Sequence, residues 1–108
     1  MKLSEVKDIL NATVYCGNMD TEVFAGCGSD LMSDVLAFVK EKVVLLTGLV
    51  NIQVIRTAEM MDIKAVIFVR GKAPTEDIIN LAKEKDIALL STEYTLFYSC
   101  GKLNNAGL

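Results

Sequence analysis

The chain has 108 residues, 52% apolar and 23% charged with a single Pro, which excludes a disordered polypeptide or a fibrous repeat. A net charge of −3, with Arg only at Arg56 and Arg70, argues against a surface for duplex nucleic acid, and the absence of His removes imidazole bases, Ser–His and Cys–His pairs and His-containing metal sites. Cys16, Cys27 and Cys100 are odd in number and form no C-x-x-C pair, so they read as reduced thiols in a cytoplasmic chain.

The elements follow in chain order. Ser4 to Ala12 reads as a helix, with Ser4 as cap, Glu5 and Asp8 near its start, and Val6, Ile9 and Leu10 as its apolar stripe. These acidic residues do not fit a signal peptide. Thr13 to Cys16 is a short β-prone run stopped by Gly17-Asn18, and Glu22 to Ala25 reads as another short strand. Gly26 to Asp30 reads as a loop whose Ser29 or Asp30 opens a helix from Leu31 to about Lys42, with Leu31, Val35, Phe38 and Val39 on the inner side.

Three cycles of apolar run and helix complete the chain. Val43-Val44-Leu45-Leu46 has no polar alternation, the mark of a strand covered on both faces. It ends at Thr47-Gly48 and leads to a helix over Asn51 to Asp62. Ala65 to Val69 is the second such strand, followed by Gly71, Pro74 and a helix capped by Thr75. Ile87 to Leu90 is the third, and Ser91 or Thr92 caps a last helix through Leu103. Asn104 to Leu108 is expected to fray. No run approaches the roughly 20 apolar residues of a membrane span. This order predicts one α/β domain over 1–108, a small mainly parallel sheet with helices on both faces.

Ligands of parallel sheets gather at the carboxyl ends of the strands. That rule selects Thr47, Gly48 and Asn51, then Arg70 and Gly71, then Ser91 and Thr92, all in loops that lead toward a helix N-terminus. Gly26, Gly28 and Ser29 join them, because two glycines before a helix can form an N–H concavity for an anion. The same residues also serve simply as turns and caps. Asp30 and Asp34, four apart, read as first-turn dipole partners or as two ligands of a Mg²⁺ site. No Walker loop or dinucleotide fingerprint is present, no phosphate cradle has its Lys, and no base stands by a nucleophile. Binding or assembly is therefore expected rather than catalysis, with no cofactor. The mean hydropathy of +0.38 and the second apolar stripes (Val54, Met60 and Met61; Leu96, Tyr98 and Cys100) point to a thoroughly covered core or a homodimer surface.

The run Gly26-Cys27-Gly28-Ser29-Asp30-Leu31-Met32-Ser33-Asp34-Val35-Leu36-Ala37, with Val43–Thr47, the stretch from Ala65 to Pro74 and that from Ile87 to Thr92, resembles the DRTGG domain family over about residues 1–103. The family's name comes from an Asp-Arg pair after one strand and a Thr-Gly-Gly after the next. Here those places read Gly48-Leu49-Val50-Asn51 and Val69-Arg70-Gly71, so only the last Gly matches, as in a short stand-alone form. The resemblance implies a fold similar to the N-terminal domain of HPr kinase/phosphorylase, found also as a module in phosphotransacetylases and in CBS-type inorganic pyrophosphatases. It implies a dimerising or regulatory part, and the capped, glycine-bearing loops after the three buried strands add the expectation of a non-catalytic, homodimeric module that senses a small anionic metabolite or nucleotide at the strand ends. The alternatives are a subunit that docks on an enzyme or signalling partner with no small ligand, and, third, a metal-dependent enzyme working through Asp30 and Asp34.

Overall fold

A computed structural model describes residues 1–38 and 42–108, with only the backbone of Phe38. Among the described residues the elements are α1 (Leu3–Leu10), β1 (Thr13–Cys16), β2 (Ala25–Gly28), α2 (Met32–Phe38), β3 (Val43–Thr47), α3 (Ile52–Met60), β4 (Ala65–Phe68), α4 (Glu76–Glu84), β5 (Ala88–Ser91) and α5 (Leu96–Asn105). The strands form one sheet in the order β1-β5-β4-β3-β2. β2 to β5 are parallel, and β1 is antiparallel to β5. This is the expected α/β architecture.

Alternation along the strands splits the core into two layers. Val43 and Leu45 of β3, Val66 and Phe68 of β4 and Leu89 of β5 meet α2, α3 and α4 through Val35, Val54, Ile55, Ala58, Ile78 and Ala82. On the opposite face Val44, Leu46, Ala65, Ile67, Ala88 and Leu90 meet α1 and α5 through Leu3, Val6, Leu10 and Leu103. Every residue of β3 and β4 is buried. This is why the two runs lack polar alternation: each face gains about 1.5–3 kcal/mol per buried aliphatic side chain. The three crossover helices share one face, and because β2 to β5 are parallel their carboxyl ends form a common rim.

Several boundaries differ from expectation, each for a long-range reason. The second strand is Ala25–Gly28, not Glu22 to Ala25, and Glu22 makes only an isolated bridge to Lys2. Gly26 and Gly28 thus lie in a strand rather than a loop. α5 crosses this strand so closely that a Cβ on Gly28 would stand 2.6 Å from the Cys100 sulfur. Leu31, expected on the buried stripe, is exposed. The helix expected beyond Phe38, with Val39 on its inner side, lies outside the described residues as far as Glu41, and Lys42 sits in a turn. The last helix starts at Leu96 and is capped by Thr95, whose Oγ1 accepts from the Tyr98 N–H at 3.2 Å. The tail expected to fray instead continues α5 to Asn105, and Leu108 folds back with its N–H on the Leu103 carbonyl and its side chain on the core. No described helix is long and apolar enough to cross a membrane.

Candidate functional site at the strand ends

The rim has two halves. The half at β5 is closed. Ser91 Oγ shares a hydrogen bond with the Tyr15 hydroxyl at 3.2 Å, and the buried Thr92 Oγ1 donates to the Leu10 carbonyl at the end of α1 at 2.7 Å. Thr92 Oγ1 also accepts from the Tyr94 N–H at 3.3 Å. Neither residue caps α5, because both hydroxyls tie β5 to its neighbours.

The half at β2, β3 and β4 gathers charge on one glycine. The Gly48 N–H donates to Asp30 Oδ1 at 2.6 Å, and the Gly48 carbonyl accepts from Lys72 Nζ at 2.6 Å. Thr47 Oγ1 donates to the same Asp30 oxygen at 3.2 Å and accepts from the Leu49 N–H. A Cβ on Gly48 would stand 2.5 Å from Arg70 Nη2 and 3.3 Å from Asp30 Oδ1, so a guanidinium and a carboxylate both lie over its Cα. Asp30 is therefore not the side-chain cap of α2. It links the end of β2 to the end of β3. Among the described residues no three His, Cys, Asp or Glu side chains are grouped to hold a metal ion.

Backbone geometry aims Arg70. Arg70 and Gly71 have φ of 60° and 68°, and the Lys72 N–H returns to the Val69 carbonyl at 3.3 Å, the pattern of a tight turn with two left-handed central residues. Asn11, Asp62 and Asp86 share this conformation just after helices, whereas Arg70 follows a strand. A bulky residue there costs about 1–2 kcal/mol. The turn is held by Arg70 N–H to the Tyr94 carbonyl at 2.8 Å and Gly71 N–H to the Thr92 carbonyl at 2.9 Å. The Glu93 carboxylate lies over Gly71, 2.5 Å from where a Cβ would stand.

The remaining sequence-selected residues have local roles. Asn51 caps α3, accepting from the Val54 N–H at 3.2 Å. Ser29 Oγ accepts from the Leu31 N–H at 3.0 Å, a turn just ahead of α2. Gly26 and Gly28 line a pocket of about 340 Å³ between β2 and α5, together with Leu46, Cys100, Leu103, Asn104 and Leu108. Lys72 was not selected from sequence. The signal for it was a cation two residues after Arg70 in a glycine turn. Burial pushes all three thiols up, with Asp34 adding to the effect at Cys27 and Cys27 to that at Cys100, so none is a ready thiolate at neutral pH.

A family model for the DRTGG domain matches residues 5–106. The chain belongs to the DRTGG domain family. A solved structure of the CBS and DRTGG domains from the regulatory region of Clostridium perfringens pyrophosphatase, complexed with its activator diadenosine tetraphosphate, superposes with a TM-score of 0.78 at 17% identity. The alignment covers 94% of this chain and 45% of that one, so this DRTGG domain spans under half of its structural neighbour. No curated protein matches the sequence. The family's Asp-Arg place, at the end of β3, is occupied here by Gly48-Leu49, and it receives a carboxylate from Asp30 and a guanidinium from Arg70 instead.

Proposed function

We propose that this DRTGG domain is a non-catalytic, homodimeric regulatory module that senses a small anionic metabolite or nucleotide at the carboxyl ends of β2, β3 and β4. The observation that carries this reading is Arg70, an exposed cation held in a costly left-handed conformation and laid across Gly48. Strain of this kind concentrates at ligand clamps. Lys72 supplies a second cation on the same backbone segment, and the N-terminus of α3 follows within a few residues. An anion there would meet both cations and displace the Asp30 carboxylate from the Gly48 N–H. The nucleotide activator bound to the Clostridium regulatory region makes nucleotides the first class to try.

The test is a melting-temperature panel of ATP, ADP, AMP, diadenosine tetraphosphate and sugar phosphates. A ligand at 100 times its Kd adds about 2.7 kcal/mol to folding. Arg70→Gly removes the cation and the strain together, so the variant should melt no lower than the parent and lose the ligand-induced shift. A panel without any shift removes the sensing claim. The use of the Thr47, Ser91 and Thr92 hydroxyls inside the fold favours a second reading, a docking subunit with no small ligand, and that is the reading a silent panel would leave.

A further inference from the structure

Two donors at the end of β3 meet a single carboxylate oxygen. The Gly48 N–H and the Thr47 hydroxyl belong to buried residues, and both reach Oδ1 of the exposed Asp30, at 2.6 and 3.2 Å. Buried donors need an acceptor, and here the acceptor comes in from the solvent side. Arg70 lies over the same Gly48, and Lys72 Nζ holds its carbonyl. The ion pairs among the described residues are Lys64–Asp62 and Lys85–Glu59, so Asp30 serves the backbone of β3 without pairing with either cation. The carboxylate is not needed to align the strands. β2 follows β3 in regular register from Ala25 to Gly28, and the Ser29 N–H extends that ladder to the Leu46 carbonyl at 3.1 Å. Past this bond, the hydrogen bonds that tie the β2–α2 connection to the end of β3, among the described residues, are the two at Asp30. α2 begins two residues later, at Met32.

We propose that Asp30 is a resident competitor for the ligand: a phosphoryl group takes its place on Gly48 and Thr47, and its release frees the β2–α2 connection. The inference rests on the functional reading above and adds the regulation of that site. A phosphoryl group suits the exchange by its oxygen count. One oxygen accepts from the Gly48 N–H and the Thr47 hydroxyl, and the others face Arg70 and Lys72, whereas a carboxylate has only two. The exchange leaves both buried donors satisfied, which departure of Asp30 alone does not. Because Asp30 is tethered, it competes at high local concentration, and the ligand meets only the fraction of molecules whose carboxylate is away. With the carboxylate in place in roughly nine molecules of ten, the dissociation constant is about tenfold weaker than that of the open site. The device sets a threshold. The domain answers only to ligand concentrations that outcompete its own carboxylate, and the answer is movement of the segment leading into α2.

Isothermal titration calorimetry with inorganic phosphate, AMP and ATP tests this on the parent, Asp30→Ala, Asp30→Asn and Asp34→Asn, with circular dichroism to check folding. Asp30→Ala should bind at least about tenfold more tightly than the parent. Asp30→Asn should gain less, because its neutral amide oxygen still accepts from the Gly48 N–H, though more weakly. Asp34→Asn removes a neighbouring charge that makes no bond to Gly48, and its affinity should stay within about twofold of the parent. A gain shared by inorganic phosphate supports exchange with the phosphoryl group alone, and a gain confined to AMP and ATP supports the same exchange with a nucleoside attached. Amide shifts give a second readout: ligand should move Leu31 together with Gly48 in the parent, and Gly48 without Leu31 in Asp30→Ala. Should Asp30→Ala fail to fold, Asp30→Asn decides. Binding that the Asp30 variants leave unchanged, or that Asp34→Asn tightens equally, overturns the resident competitor while keeping the functional reading. No binding by the parent or by any variant overturns that reading, and this inference with it.

Discussion

The β5 end of the rim and the β3–β4 end start from similar residue types, small hydroxyls and glycines after buried strands, and reach opposite states. At β5 the hydroxyls are spent inside the fold, on Tyr15 and on the carbonyl of Leu10. At β3 and β4 three polar groups converge from two chain segments, at Asp30 and at 70–72, on the backbone of Gly48, and two of the three are cations. The difference teaches that a hydroxyl at a strand end is scaffold when its partner is buried backbone. It becomes part of a site only where charge without a buried role collects beside it.

Thr92→Val should show the largest effect on stability. It strands the Leu10 carbonyl without its buried donor, at a cost of about 1–3 kcal/mol in urea unfolding, and it should leave any ligand-induced shift intact. Equal loss of ligand response would erase the distinction between the two halves. Gly48→Ala is expected to act the other way. Its Cβ pushes the flexible end of Arg70 aside, so apo stability should change by less than about 1 kcal/mol while nucleotide response falls with the displaced guanidinium. The smallest effect concerns the thiols. Cys16, Cys27 and Cys100 are raised by burial, so the native protein binds more protons than the unfolded chain once pH exceeds the ordinary thiol range. Their stabilisation is full below that range and is lost as pH rises through the folded values. A disulfide reagent at neutral pH should therefore label the native thiols slowly and the unfolded ones quickly.

Much of the fold was legible because local pattern and tertiary demand coincide. Val43 to Leu46 and Ala65 to Val69 are apolar at every position since both sides are covered, and Asn51 caps α3 with its own side chain. Where the reading failed, a distant partner had decided. Ala-Gly-Cys-Gly carries little strand propensity, yet it pairs with β3, and its Gly28 leaves the room that Cys100 of α5 occupies. Asp30 looks like a helix cap until Gly48, eighteen residues on, takes its carboxylate. Thr92 looks like the next cap until Leu10, eighty-two residues back, claims its hydroxyl. The site was legible in its loops, and Gly48 and Arg70 were both selected. Their convergence was not, because it depends on a left-handed Arg70 that no sequence pattern marks.

On this reading the β3–β4 half of the rim, and not the β5 half, receives an anion. Amide chemical-shift mapping of the isotope-labelled chain during titration with ATP and with diadenosine tetraphosphate tests it most directly. Saturable shifts are expected at Gly48, Arg70 and Gly71, with Ser91 and Thr92 still. Shifts centred on Ser91 and Thr92, or on the β2–α5 pocket at Gly26 and Asn104, or no saturable shift with either nucleotide, would contradict it.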